Sequence, residues 1–283
     1  MRVALLGVGL IGGSLARALK RSGWATSIVG YARREDELQK AIELGVIDRY
    51  SLEPERAVEG ADVVVLCTPL KAMESLLTQI KPALTDNTII TDVGSAKGVV
   101  VEAARAALGE LPSGFVPAHP IAGTEKSGVS ASFAELYDDR KVIITPVSES
   151  ADWAVKTVRA MWEATGAKVE SMSVDKHDDV LAATSHLPHL LAFTLVDLLA
   201  HNSEHEKIFH YAAGGFRDFT RIASSDPVMW RDISVTNKAA ILNNIEQYQT
   251  HLATLKALIE EQNEDEILNF YQRAKNARDA HIE

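Results

Sequence analysis

The most constraining feature of the chain lies at its start. Residues 2–6 read RVALL, an apolar strand, and Gly7-Val8-Gly9-Leu10-Ile11-Gly12 follows at once and opens a helical pattern. Each glycine in that spacing meets a different backbone demand. Gly7 permits the tight turn, Gly9 lets a pyrophosphate approach the backbone, and Gly12 lets the helix pack closely on the strand. The phosphates then rest on the helix N-terminus at Leu10 and Ile11, where free N–H groups and the helix dipole favour an anion. Strand, turn and helix in this order predict a dinucleotide-binding βα unit.

The rest of the chain fits that start. Strand-like runs at 26–31, 62–67, 88–92, 115–118, 141–145 and 168–172 alternate with helical stretches at 12–22, 35–44, 71–80, 97–108 and 151–165. Near-continuous β-branched runs such as Val63-Val64-Val65 suit strands covered on both faces, and strand–helix alternation implies a mostly parallel sheet. After about residue 173 the strand-like runs stop. Ile241, Ile245, Tyr248, Leu252, Leu255 and Leu258 form one apolar stripe, and the polar run 261–266 breaks the helix before a last one. The expected architecture is α/β: a Rossmann-like, mostly parallel domain over 1–172, then an all-helical domain over 173–283. Long apolar stripes on such helices are often buried across a two-fold axis, so a homodimer through the helical domain is expected.

The acid that usually binds the ribose diol should fall about 20 residues beyond the turn. That position holds Ala32, followed by Arg33 and Arg34. Lack of a carboxylate removes repulsion toward a 2′-phosphate, and an arginine can pair with it, so the reading leans to NADP over NAD. The formal net charge of −10 argues against nucleic acid or an anionic membrane as partner. The single cysteine, Cys67, excludes a disulfide framework and a cysteine-rich zinc module. No run of about 18 apolar residues is evident, and the glycine-broken start does not read as a signal peptide, so no spanning helix and a cytoplasmic location are expected.

Ligands of such sheets bind beyond the carboxyl ends of the strands. Three segments arrive there: Cys67-Thr68-Pro69-Leu70, Asp92-Val93-Gly94-Ser95-Ala96-Lys97 and His119-Pro120-Ile121-Ala122-Gly123-Thr124. His119, held extended by Pro120, is the leading candidate for a general base. Ser95 is placed to donate to or orient a substrate oxygen. Lys97 is either a substrate contact or a surface lysine opening a helix. In the helical half, His186 and His189 lie three apart around Pro188; without a companion carboxylate pattern they read as one cleft and one structural histidine, not a metal site. His201, His205 and His210 read as a solvated helix end. Arg217 and Arg221 lie four apart beside Asp218, either as an anchor for an acid-bearing substrate or as an intrahelical salt bridge. Asp226-Pro227 reads as an N-cap with Pro in the first turn.

Five blocks in order, GVGLIGGSLA (7–16), TDVGSAK (91–97), HPIAGTEKSGV (119–129), ATSHLPHLLAF (183–193) and GGFRDFTRIASSDPVMWRDI (214–233), resemble the prephenate/arogenate dehydrogenase (TyrA-type, cyclohexadienyl dehydrogenase) family. The resemblance implies a nucleotide-binding domain joined to a helical dimerisation domain, acting on the ring alcohol of prephenate or arogenate with loss of CO2. It implies that His119 accepts the hydroxyl proton, Ser95 bonds the same region, His189 lines the substrate pocket and Arg221 holds a substrate carboxylate. Thr124 and Lys97 join the expected substrate contacts, and Thr68 and Pro69 the cofactor contacts. The chain departs from the family at Ala32, where NAD-using members often carry Asp. A β-hydroxyacid dehydrogenase or imine reductase, and a non-catalytic nucleotide-sensing protein, are the competing readings. The expected site places His119 and Arg221 in one cleft.

Overall fold

The computed structural model describes residues 1–124 and 126–281, with only the backbone of His205; Glu125 of the 119–129 block lies outside them. The chain begins β1 (Arg2–Leu6), α1 (Leu10–Arg21), β2 (Ser27–Tyr31), α2 (Glu35–Glu43), β3 (Arg49–Ser51), α3 (Pro54–Val58), β4 (Val63–Leu66), α4 (Met73–Ile80), β5 (Ile89–Asp92) and α5 (Gly98–Leu108). These strands form one parallel sheet in the order β3-β2-β1-β4-β5, so β1 and the glycine turn are central. The Val63–Leu66 strand is buried at every position, as its unbroken apolar run requires. Helix α1 covers the sheet with Leu15, Ala18 and Leu19 fully buried.

A second sheet follows from β6 (Ala118–Pro120), β7 (Lys141–Ile144), α6 (Asp152–Glu163) and β8 (Lys168–Ser171). Here β6 and β7 run antiparallel while β7 and β8 run parallel. Two details of the expected strand map change. The run at 115–118 gives only a bridge from Phe115 to Ile90, and the strand itself begins at Ala118. The chain then doubles back through 121–140, which makes one pairing antiparallel. The loop is pinned to α1 by Tyr137, whose hydroxyl donates to the Ile11 carbonyl at 2.7 Å, and by the Phe133 N–H, which donates to Ser14 Oγ at 3.1 Å. Strand β3 escapes a pattern reading because RYS is short and polar.

From residue 173 the described chain is helical. Ser173 caps α7 (Val174–Leu181), one wide π turn covers Ala182–His186, and α8 (Leu187–Ala200) continues it. Pro188 explains the wide turn: it has no N–H for the Thr184 carbonyl and its ring crowds that carbonyl. Then come α9 (His205–His210), α10 (Gly214–Thr220), α11 (Pro227–Thr236), α12 (Lys238–Glu260) and α13 (Glu264–His281). Asp226 caps α11 by accepting from the N–H groups of Val228 at 2.7 Å and Met229 at 3.1 Å.

The chain forms two compact units, 1–238 and 239–283. In the second, Ile241 of the apolar stripe is buried, while Tyr248 and Leu252 of that stripe, and Ile259 and Leu268 beyond it, are exposed in the single chain. The continuous helix Val174–Ala200 corrects one expectation. By length and composition it is long and apolar enough to cross a membrane, with mean hydropathy 1.2 in its best window. The same helix also carries His177, Asp178, His186 and His189.

Candidate active site

The glycine turn has the form the spacing predicts. Gly7 has φ +111°, and a Cβ there would lie 2.4 Å from the Cys67 carbonyl oxygen. A Cβ on Gly12 would lie 2.2 Å from the Gly7 carbonyl oxygen. Both are therefore required by packing. Gly9 is different: a Cβ there would meet nothing within 4 Å. Its small size leaves open space above the backbone at the start of α1, a cradle a side chain would fill. Nothing in the packing around Gly9 demands glycine, and a dinucleotide pyrophosphate fits that space with the N-terminal N–H groups at Leu10 and Ile11 beneath it.

At the end of β2, Ala32 is half-buried and Arg33 and Arg34 are exposed. Arg34 is held by its own helix start, with Nε donating to Asp36 Oδ1 at 3.0 Å and Glu37 beyond. Arg33 makes no ion pair among the described residues. Of the two cations expected near a ribose, the structure leaves Arg33 available. Thr68 has a buried hydroxyl without a hydrogen-bond partner among the described residues and lies against Gly7; Pro69 is exposed.

His119 stands in β6 opposite Ile143 and is 9% exposed. Its Nδ1 lies 2.9 Å from His177 Nε2, and His177 Nδ1 lies 2.8 Å from Asp178 Oδ1. Asp178 in turn accepts from the backbone N–H groups of Lys97 at 2.7 Å and Gly98 at 2.8 Å, at the start of α5. Burial pushes His119 well below the ordinary imidazole range, and nearby His177 and Lys97 act in the same direction. His177 is also lowered, by burial, with Asp178 opposing. Burial pushes Asp178 up, but hydrogen bonds from His177 and the two backbone groups outweigh it and leave the carboxyl below its usual range.

Lys97 requires a correction. It is neither a surface lysine nor a substrate contact: its side chain is fully buried, forms an ion pair with equally buried Asp92, and donates to the Ala118 carbonyl at 2.7 Å. Asp92 accepts from the Ala118 N–H at 3.1 Å and the Gly94 N–H at 2.7 Å. The pair thus grips both backbone groups of the residue preceding His119. Removing the ammonium strands a buried carboxylate, so Lys97→Met is expected to cost about 3–5 kcal/mol of stability. Asp92→Asn in the same chain should recover most of it. Urea unfolding of the single and double variants measures both effects.

A cavity of about 520 Å³ is lined by His119, Thr124, His189 and Arg221, together with Arg140, Ser185 and Met229. Four expected site residues therefore share one space. His189 donates from Nδ1 to the Ser185 carbonyl at 2.9 Å and stacks on Trp230, with ring centroids 3.9 Å apart. Its Nε2 is left without a protein partner among the described residues. Burial lowers its pKa, and the charge of Arg221 adds to that. Arg221 begins the short turn Arg221–Ser224 just past α10 and is exposed. Arg217 does not line this cavity, and neither arginine pairs with Asp218 among the described residues, so the intrahelical salt bridge is absent there. Ser95 is half-buried and is not among the lining residues; its backbone carbonyl lies beside His186. His186 is buried and neutral, lowered by burial to about 4, and its Nδ1 accepts from Asn237 Nδ2 at 3.2 Å. His201 bonds its own helix at the Asp197 carbonyl, in keeping with a solvated helix end.

Sequence reasoning missed His177 and Asp178. The signal was present: an imidazole and a carboxylate stand side by side one turn after the Ser173 cap, but nothing in the pattern placed them beneath His119.

Two family models match the chain: one described as the nucleotide-binding domain of prephenate dehydrogenase, over 15–171, and one as its dimerization domain, over 173–273. A cyclohexadienyl dehydrogenase of Zymomonas mobilis is 37% identical, with 98% of this chain and 94% of that protein covered. A prephenate dehydrogenase of Bacillus subtilis is 35% identical, with 98% and 75% covered. The solved structure of prephenate dehydrogenase from Aquifex aeolicus in complex with hydroxyphenyl propionate and NAD+ superimposes with a TM-score of 0.91 at 41% identity, covering 98% of this chain and 97% of that one. With both domain models in order and relatives matched over nearly its whole length, the chain belongs to the prephenate dehydrogenase family.

Proposed function

We propose that this protein oxidatively decarboxylates prephenate, arogenate or both, with hydride transfer to NAD(P), in tyrosine biosynthesis. The observation that carries this reading is the single cavity shared by a buried neutral imidazole, His119, and an exposed guanidinium, Arg221. The substrates named by the relatives are cyclohexadienols bearing carboxylates, which need a base for the hydroxyl and a cation for an acid group. The alternative of a β-hydroxyacid dehydrogenase or imine reductase is not favoured, since relatives at 35–37% identity are prephenate or cyclohexadienyl dehydrogenases.

When bound, the oxidised nicotinamide supplies the hydride acceptor for the ring carbinol. The neutral His119 takes the hydroxyl proton as that C–H bond breaks. The bond from ring to carboxylate then breaks, its electron pair aromatises the ring, CO2 departs, and the new phenol oxygen takes its proton back from His119. Proton and electron pairs balance: the base takes a proton from the substrate and returns it to the product within one turnover. Arg221 anchors a carboxylate by a charge-assisted hydrogen bond, His189 and Thr124 line the substrate pocket with it, and Ser95 bonds the same region from the loop before α5. Gly7, Gly9, Leu10, Ile11, Gly12, Thr68 and Pro69 hold the dinucleotide, with Ala32 and Arg33 at its ribose. The absence of a carboxylate at Ala32 and the availability of Arg33 favour NADP.

The nucleotide-binding domain spans 1–172 and the helical domain 173–283, which makes a homodimer through the apolar faces left exposed on its helices. The protein works in the cytoplasm. A kinetic matrix of prephenate and arogenate against NAD and NADP tests the reading. At least one pairing should give reduced nicotinamide and CO2 in equal amounts. Absence of turnover in all four, with small hydroxyacids oxidised instead, contradicts it.

A further inference from the structure

The oxidative mechanism asks something of His119 that its own ring does not supply. The nitrogen facing the substrate must carry a lone pair before the reaction, and the ring must bear a positive charge briefly in a site with little water. The hydrogen bonds beneath it decide the first point. Asp178 is an acceptor at both oxygens, because the backbone N–H groups of Lys97 and Gly98 donate to them. His177 Nδ1, at 2.8 Å from Asp178 Oδ1, must therefore carry its proton. His177 Nε2 is then the unprotonated nitrogen and can only accept. His119 Nδ1, 2.9 Å from it, must be the donor. The proton of neutral His119 is thus on Nδ1, and Nε2 is left bare.

We infer that His177 and Asp178 form a positioning dyad that locks His119 in the Nδ1–H tautomer and shares the charge it gains when it accepts the substrate proton. This rests on the proposed role of His119 as base. The dyad is not a path for proton export, and none is required, since the proton returns to the product oxygen in the same turnover. The backbone anchors make it rigid: Asp178 is held at the start of α5, and the two histidine rings meet edge to face with centroids 5.1 Å apart. The other charged and titratable groups facing the dyad are Lys97 and Asp92, a closed ion pair, and neutral His186. None of these offers a second acceptor to His119 Nδ1 among the described residues.

His177 is the residue to change, because Asp178 also holds the end of α5. In His177→Gln the side-chain carbonyl can take the place of Nε2 as acceptor, whereas His177→Leu removes it. The expected result is a kcat lowered about 10²-fold in His177→Leu, with KM for prephenate and for the dinucleotide within about twofold. His177→Gln should return kcat to within about fivefold of the parent. The acid limb of kcat/KM should move to lower pH in the Leu variant, since the cation on His119 loses its acceptor. Unchanged kcat in His177→Leu, or equal losses in the Gln and Leu variants, overturns the inference. Should the Leu variant fail to fold, nitrogen-15 histidine spectra of the parent enzyme decide it: His119 protonated at Nδ1 supports the dyad, and His119 protonated at Nε2 overturns it. His119→Asn run alongside separates the two readings: full activity there refutes His119 as base, whatever the His177 variants do.

Discussion

His119→Asn lowers kcat by about 10²–10⁴-fold, the range that positioned general-base catalysis contributes, and leaves the dissociation constant of the dinucleotide near that of the parent. The amide keeps the approximate size of the ring and a partner for His177, but has no basic nitrogen for the substrate hydroxyl. The cofactor effect should be small because His119 stands in the second sheet, whereas the glycine turn follows β1 in the first. Burial gives this base a signature in pH. Its pKa lies below the ordinary imidazole value of 6.5, so neutral His119 persists as pH falls through that value. The acid limb of kcat/KM is therefore expected below about pH 6.5, absent from the residual activity of the Asn variant. Stability sets the lower bound of that experiment. His119, His177, His186 and His189 all have lowered pKa values in the fold. The unfolded chain takes up their protons first, so their contribution is complete above pH 6.5 and is lost as pH falls toward the folded values. Circular dichroism at each pH separates unfolding from titration of the base.

Arg221→Ala raises KM for prephenate by about 10–100-fold and changes kcat by no more than a few-fold, as loss of a charged hydrogen bond made equally in ground and transition states requires. The guanidinium is exposed in the cavity and makes no ion pair among the described residues, so its removal should cost little stability. Arg221→Lys keeps the charge without the planar fork and should restore only part of the affinity. The KM for the dinucleotide should not move. A second readout comes from His189. Burial holds its pKa down and Arg221 adds to that, so the alanine variant should let that pKa rise only part of the way toward the ordinary value. A KM unchanged in Arg221→Ala reassigns the carboxylate anchor, with Arg140, which lines the same cavity, the next residue to test.

The glycine turn was legible because three backbone demands fall on three glycines at fixed spacing, and the structure distinguishes them: Gly7 and Gly12 are fixed by close contacts with protein, Gly9 by open space. The parallel order around β1 was legible from buried β-branched runs. The antiparallel turn at β6–β7 was not, since direction depends on where the 121–140 loop returns. Lys97 was misread because a lysine before a helix is normally solvated; only the fold reveals Asp92 behind it. The pairing of His119 with His177 spans 58 residues and arises where a helix crosses a strand, which periodicity cannot register. The apolar stripe of α12 was legible from its helical spacing, and Tyr248 and Leu252 of that stripe are exposed in the single chain.

The central claim is that one cavity presents His119 to the reacting hydroxyl and Arg221 to an acid group of the same molecule. A crystal structure of the enzyme with NAD(P) and a 4-hydroxyphenyl product analogue tests it most directly. The claim requires the phenol oxygen within hydrogen-bond distance of His119 Nε2 and the analogue's carboxylate on the Arg221 guanidinium. A ligand bound with its phenol away from His119, or in a different cavity from Arg221, contradicts it.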